Sequence, residues 1–254
     1  MIANVLRENL RNKALYVITG IGFLLMMAML AGQGGTVKDA AGNDLLKDAL
    51  GAMRVGFALI GVLGSLVTIV LSMSTMPREF ERKTIHLLLV RPVSRWQVAG
   101  SFLVGNILTA WVLLLVLCVP LFFALTAKGA PDLAPRIFAA IPALALNLAL
   151  ITAVTTLASV WMPAPAAAFV GLLVYGFAAF SGTLGAIASI SRESWAPLLK
   201  LFLFLLPPTD GVARETLKLF GPGAGIDLRV YAGGLFYLWA AAGLVAGSLY
   251  RREV

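Results

Sequence analysis

Polar chemistry in this chain is concentrated in one stretch, PREFERKTIHLLLVRPVSRWQ, from Pro77 to Gln97. Seven charged residues fall in the 18 positions from Arg78 to Arg95. At about 2.5 to 3.5 kcal/mol for each central charge, burying them in hydrocarbon would cost on the order of 20 kcal/mol. The stretch therefore has to lie in water. It is not plain linker, because Ile85, Leu87, Leu88, Leu89 and Val90 form an apolar patch within it, and Arg91-Pro92 ends any helix there. An apolar ridge flanked by charges suits docking to a groove on another protein.

Other reactive side chains are few. His86 is the single histidine and has no cysteine or second histidine with which to build a metal site, so it reads as a structural residue of the docking helix. Cys118 is the single cysteine and falls within an apolar run, which excludes a disulfide within the chain. Asn106 and Asn147 are polar groups at membrane depth and must find hydrogen-bond partners in the protein or in a cavity, as interhelical ties or as part of a pathway. No nucleophile, acid or metal cluster suggests an intramembrane enzyme, so a non-catalytic chain is expected. The sequence also lacks Gly-x-x-x-x-Gly-Lys-Ser/Thr, the loop that cradles nucleotide phosphates.

The elements that position these residues follow from composition. The 254 residues are 60% hydrophobic and 13% charged, with mean hydropathy +0.92, more apolar surface than one soluble core can hide. Six runs are long enough to span a bilayer and contain no Asp, Glu, Lys, Arg or His: 14–31, 55–76, 102–125, 137–161, 166–184 and 231–250. The expected fold is an all-α polytopic membrane protein, a single transmembrane domain over residues 1–254 with six transmembrane helices. Pro120, Pro142, Pro163 and Pro165 lie in or at the ends of these runs, where they can kink them. Proton- or ion-coupled carriers keep ionisable residues at membrane depth. Their absence here disfavours the alternative of a secondary transporter or channel without an ATPase partner.

Orientation comes from the placement of Lys and Arg beside the spans. The N-terminus, the 77–101 stretch and the C-terminus share 10 basic residues against Glu8, Glu79, Glu81 and Glu253. The other loops also hold 10 basic residues, diluted over longer segments and offset by eight acids. Both termini are therefore expected on the cytoplasmic side of a cell membrane, the bacterial inner membrane. Trp96, Trp161 and Tyr250 then fall at inner boundaries and Tyr231 at an outer one. The formal charge of +8 reads as topology-setting and lipid-facing, with no nucleic-acid partner. The first apolar run is too long for a signal peptide, so an uncleaved N-terminus is expected.

Between the spans, residues 1–13 form an amphipathic pattern, with Ile2, Val5, Leu6 and Leu10 on one face and Arg7, Glu8 and Arg11 elsewhere. This predicts an interfacial helix. The first outer loop, 32–54, reads equally as a short helix capped by Asn43 or as a linker running into the second span. In the outer segment 185–230, the apolar run from Trp195 to Leu206 is too short to span and is stopped by Pro207-Pro208. Thr209 or Asp210 can cap a second short helix through Phe220, giving a re-entrant helical hairpin before the last span. Gly243 and Gly247 form a Gly-x-x-x-Gly pair that permits close helix approach, within one protomer or between two.

The 77–97 stretch resembles the coupling region of type-2 ATP-binding-cassette (ABC) exporter permeases. The resemblance rests on acidic residues after the second span, a Thr-Ile-x-x-Leu-Leu core and Arg-Pro-Val-Ser-Arg entering the third span. Glu79 and Glu81 match the acidic pair, Thr84 and Ile85 the following turn, and Arg91, Pro92, Ser94 and Arg95 the terminal signature. Lys83 departs from the pattern, which commonly has glycine there. The resemblance implies a coupling site of Arg78, Glu79, Glu81, Arg82, Thr84, Ile85, Leu88, Arg91, Pro92, Ser94 and Arg95. It further implies two cytoplasmic ATPase subunits that bind ATP and Mg, no cofactor in this chain, and a second permease copy or related chain. Membrane lipids surround such a complex, and an extracytoplasmic accessory protein is compatible with it. Cargo is undetermined, and some members transmit force instead.

Overall fold

A chain this apolar must satisfy its backbone N–H and C=O groups within each segment wherever water is excluded, and an α-helix does so. The computed structural model describes residues 2–11, 13–32, 43–81, 95–127, 134–190, 196–218 and 227–251, and among them there are ten helices. In chain order these are α1 (Ile2–Leu10), α2 (Lys13–Gly32), α3 (Asn43–Glu81), α4 (Arg95–Ala127), α5 (Ala134–Trp161), α6 (Ala164–Ala179), α7 (Ser181–Ile190), α8 (Ala196–Leu205), α9 (Thr209–Lys218) and α10 (Leu228–Arg251). Four of them contain stretches long and apolar enough to cross a membrane: Met53–Thr75, Trp96–Phe123, Pro135–Trp161 and Leu228–Ser248.

The bundle is organised around α5, which packs against α3, α4, α6, α9 and α10. At one end, Met53, Phe57 and Ile60 of α3 meet Leu114, Leu117 and Leu121 of α4 and Ile137, Ala140 and Leu144 of α5. At the opposite end, Val98 and Phe102 of α4 meet Val160 of α5 and Val245 and Ala246 of α10, with Val5 of α1 added. Lipid is as apolar as leucine, so close packing rather than water exclusion holds such helices together, and small residues let them approach. A Cβ at Gly171 on α6 would meet Thr155 Oγ1 of α5 at 2.6 Å, and one at Gly234 on α10 would meet Leu146 Cδ2 of α5 at 2.8 Å. The buried hydroxyls of Thr152 and Thr155 donate back to the Leu148 and Ile151 carbonyls of their own helix, at 2.7 and 2.9 Å, which satisfies them without a partner helix. The outward face of α10 carries Leu235, Phe236, Trp239 and Leu244, all exposed, as a lipid-facing surface does.

Several boundaries differ from the sequence expectation. The two readings of the 32–54 loop resolve into one: Asn43 begins a helix that runs without a break into the second span and on through Pro77 to Glu81. The run 166–184 is not one continuous helix. It divides at Phe180 into α6 and α7, because Phe180 leaves helical geometry (φ −99°, ψ 7°). There is no proline at the break, but Ser181-Gly182, a pair that commonly interrupts helices, follows it directly. Gly182, at the start of α7, lies so close to α9 that a Cβ there would collide with the Arg214 side chain and with Asp210. Pro120 and Pro142 sit inside α4 and α5, whereas Pro163 precedes the first residue of α6 and Pro165 lies in its first turn.

The 185–230 segment contains the two expected short helices, α8 and α9, separated at Pro207-Pro208. Their partners differ from those of a simple hairpin. α8 packs against α7, and α9 packs against α5, α6, α7 and α10. Phe177 of α6 and Phe202 of α8 meet edge to face, with ring centroids 5.6 Å apart. Tyr237 of α10 donates its hydroxyl proton to the Leu205 carbonyl at 3.2 Å, satisfying one of the open carbonyls that end α8. Trp195 and the Gly221–Gly225 stretch lie outside the described residues.

Candidate functional site

The charged segment is bracketed by the last turn of α3, which carries Arg78, Glu79 and Glu81, and by Arg95, the first residue of α4. Arg82, Thr84, Ile85, His86, Leu88, Arg91, Pro92 and Ser94 lie outside the described residues. What the structure describes is the ground on which the segment stands, and that ground is built from polar groups.

Asn106 of α4 is fully buried and lies at the centre of a small network. Its Oδ1 accepts a hydrogen bond from Asn9 Nδ2 of α1 at 2.8 Å. The Thr75 hydroxyl of α3 lies 3.3 Å from the same oxygen, shared with the Leu71 carbonyl at 2.8 Å. Asn9 Nδ2 also reaches Thr109 Oγ1 of α4 at 3.2 Å, and the Thr109 hydroxyl donates to the Gly105 carbonyl at 2.8 Å. α1 is thereby tied to α4, and α4 in turn to α3 through the longer Thr75 contact. Amide bonds of this kind are strong ties where water cannot compete.

Packing reinforces the tie. Val5 is buried against Gly105, where an added Cβ would lie 2.7 Å from Val5 Cγ1 and 2.8 Å from its Cβ. The amphipathic pattern therefore does more than place α1 at an interface: Val5 and Asn9, one turn apart, form its docked edge. Ile2, expected on the same face, is exposed. Sequence reasoning found Asn106 but missed Asn9, Thr75 and Thr109. The available signal was Asn9 four residues after Val5, on the apolar side of the helix.

Asn147, the other intramembrane asparagine singled out from sequence, does not join this network. It lies midway along α5, buried, with Oδ1 unpaired. α9 carries a buried carboxylate, Glu215, which accepts a hydrogen bond from Lys218 Nζ and one from the Asp227 backbone N–H at 3.2 Å. The Lys218 ammonium, with help from that amide, holds the Glu215 carboxyl below the ordinary carboxylate range, and Glu215 in turn raises Lys218. Arg214 and Asp210 pair on the same helix at 2.8 Å. Among the described residues, no group of three His, Cys, Asp or Glu side chains is placed to hold a metal ion. Among the described residues, nothing lies within 4 Å of where a Cβ of Gly243 or Gly247 would stand.

Among the described residues, fold and site together define an all-helical membrane protein with four helices long and apolar enough to cross a bilayer and a polar network toward the end that carries the charged segment. Residues 39–210, more than half of the chain, match the profile of DUF2705, a protein family of unknown function, and the chain belongs to that family. No curated protein matches it significantly.

Proposed function

We propose that this chain is the membrane-spanning permease subunit of an ATP-driven exporter of the type-2 ABC class. In this reading it couples ATP hydrolysis in a separate ATPase to movement of a substrate, or of force, across the membrane. The observation that carries the reading is the bond set joining Asn9, Asn106 and Thr75. It joins α1 to α4, and α4 to α3 by a longer contact, toward the end from which the charged segment emerges. A load applied to that segment is then delivered to two long helices and a surface helix together.

The six-span arrangement belongs to the same proposal. α2, 20 residues long, rises about 30 Å at 1.5 Å per residue, the thickness of the hydrocarbon core. It supplies the first span, while α6 with α7 supplies a broken fifth. α7 to α9 form the re-entrant element of the outer leaflet. Both termini and the 77–97 segment face the cytoplasm of a bacterial cell. There two ATPase subunits bind ATP and Mg, and a second copy of the chain completes the permease.

The test is co-purification with the ATPase and ATP turnover in lipid for the wild type and for Glu79→Lys/Glu81→Lys. Placing like charges against a basic groove costs several kcal/mol, and a loss of about 3 kcal/mol is roughly a hundredfold in affinity. ATPase binding should fall by about that factor while the chain still inserts. Unchanged binding and unchanged turnover would remove the coupling role from these two acids.

A further inference from the structure

A groove of about 590 Å³ opens on the outside of the bundle between α5, α6 and α10. Val154, Leu157 and Trp161 of α5, Val170 of α6 and Gly243 and Gly247 of α10 line it. The two glycines make the space, since nothing among the described residues lies within 4 Å of where their Cβ atoms would stand. Ser248 brings a hydroxyl to the wall but spends it on the Val245 carbonyl at 2.7 Å. The wall therefore suits hydrocarbon, which it holds by dispersion contacts alone.

One end of the groove is electropositive. It is the end where α5 stops at Trp161 and the chain turns through Pro163 into α6, whose N-terminus no side chain caps. With Pro165 in the first turn, only Ala164 and Ala166 have N–H groups there. Neither has a partner among the described residues, the first bond of the helix running from the Ala167 N–H to the Pro163 carbonyl at 3.0 Å. Open N–H groups and the positive pole of a helix together favour an anion. On the neighbouring wall Arg251 ends α10 one turn beyond Gly247, and Arg252 and Glu253 follow in sequence, which adds net positive charge. Trp161 is 53% exposed, as suits a tryptophan at a membrane–water boundary. Val160 and Val245, beside the groove, cluster with Val98 in the first turn of α4, so this is the end from which the charged segment leaves.

We infer that this groove holds an anionic glycerophospholipid, its acyl chain laid along Gly243 and Gly247 and its phosphate at the N-terminus of α6, toward the arginines that end α10. An apolar groove alone would suit a helix of a second copy equally well. The positive end decides for the lipid, because an apolar helix laid there brings no anion to it. From Val154 to Trp161 the α5 wall rises about 10 Å at 1.5 Å per residue, so the groove takes the part of a chain nearest the glycerol.

The full chain in a neutral detergent is titrated with dioleoylphosphatidylglycerol, dioleoylphosphatidylcholine or inorganic phosphate, and bound adducts are counted by native mass spectrometry. Phosphatidylglycerol should bind about tenfold tighter than phosphatidylcholine, and inorganic phosphate at equal concentration should not displace it. Gly243→Leu/Gly247→Leu fills the groove at two open positions and does not lower helix propensity, so the chain still folds while both lipids bind about tenfold more weakly. Gly20→Leu, the same change at an open position of α2 away from the groove, should weaken neither. Arg251→Gln/Arg252→Gln should remove most of the preference for phosphatidylglycerol and leave phosphatidylcholine binding as it was. Equal affinity for the two lipids, displacement by inorganic phosphate, a preference untouched in the arginine variant, or the same response to Gly20→Leu as to the filled groove would each overturn the assignment. Loss of a dimer mass on filling the groove, with lipid binding intact, would give the groove to a second copy instead. No ATPase is present in this experiment, so its outcome is independent of the coupling proposal.

Discussion

Gly105→Ala is the most direct perturbation of the polar platform, because it adds one methyl group where α1 crosses α4. The new Cβ would stand 2.7 Å from Val5 Cγ1 and 2.8 Å from Val5 Cβ, against the 3.5 to 4.0 Å at which carbon atoms rest. The substituted helix cannot yield, since Gly105 sits in the middle of 33 continuous helical residues, so α1 has to move away by about 1 Å. That displacement stretches the 2.8 Å bond from Asn9 to Asn106 beyond hydrogen-bonding range. Overpacking costs about 1 to 3 kcal/mol. A central value near 2 kcal/mol is roughly a thirtyfold loss in the ratio of docked to undocked α1. Hydrogen exchange of the amides of residues 2–11, measured in lipid nanodiscs, reads that ratio directly, and exchange should accelerate by about that factor.

The control is Val5→Ala, which removes the nearer contact atom. Combined with Gly105→Ala it should cost less than the sum of the two single changes, although rescue is incomplete because the Cβ of residue 5 remains. Sites in contact show such non-additivity at about 0.5 kcal/mol or more. Unaltered exchange in Gly105→Ala, or strict additivity in the double variant, would mean that α1 is not docked through this contact.

Two further outcomes are expected. Glu215 contributes stability as a carboxylate whose pKa is depressed by Lys218, so that contribution is present above the ordinary carboxylate pKa and is lost as pH falls through the lower, folded-state value. Protection factors in α9, taken against the intrinsic exchange rate at each pH, should fall on acidification in the wild type and much less in Glu215→Gln; equal acid sensitivity in both would exclude Glu215 as the titrating group. Cysteines introduced at Ser94 and Glu253 should label from the cytoplasmic face and one at Asn43 from the opposite face, and the reverse pattern would invert the proposed topology.

The positions of the long helices were legible without coordinates, since runs of about 20 residues free of charge can satisfy their backbone in only one common way. The end of the fifth run was not. Ser181-Gly182 is the one local feature that weakens the helix there, and the contact made by Gly182 comes from α9, some 30 residues later in the chain. The candidate site divides similarly. Asn106 and Asn147 were visible as polar residues in apolar surroundings, but sequence treated them alike. Three-dimensional packing made one an interhelical tie with Asn9 and Thr75, and left the other buried with its Oδ1 unpaired.

Composition and charge placement alone determined that this is a helical membrane protein with its charges gathered in water-facing segments. Those terms are local: hydropathy accumulates residue by residue, and the cost of a buried charge applies wherever in the fold it falls. Tertiary structure decided which polar groups find one another. The bond from Asn9 to Asn106 joins positions 97 residues apart, and Gly105 reveals its purpose only when Val5 lies against it. Such pairings depend on how helices cross, to within fractions of an ångström, and no repeat or spacing within a single helix encodes that distance.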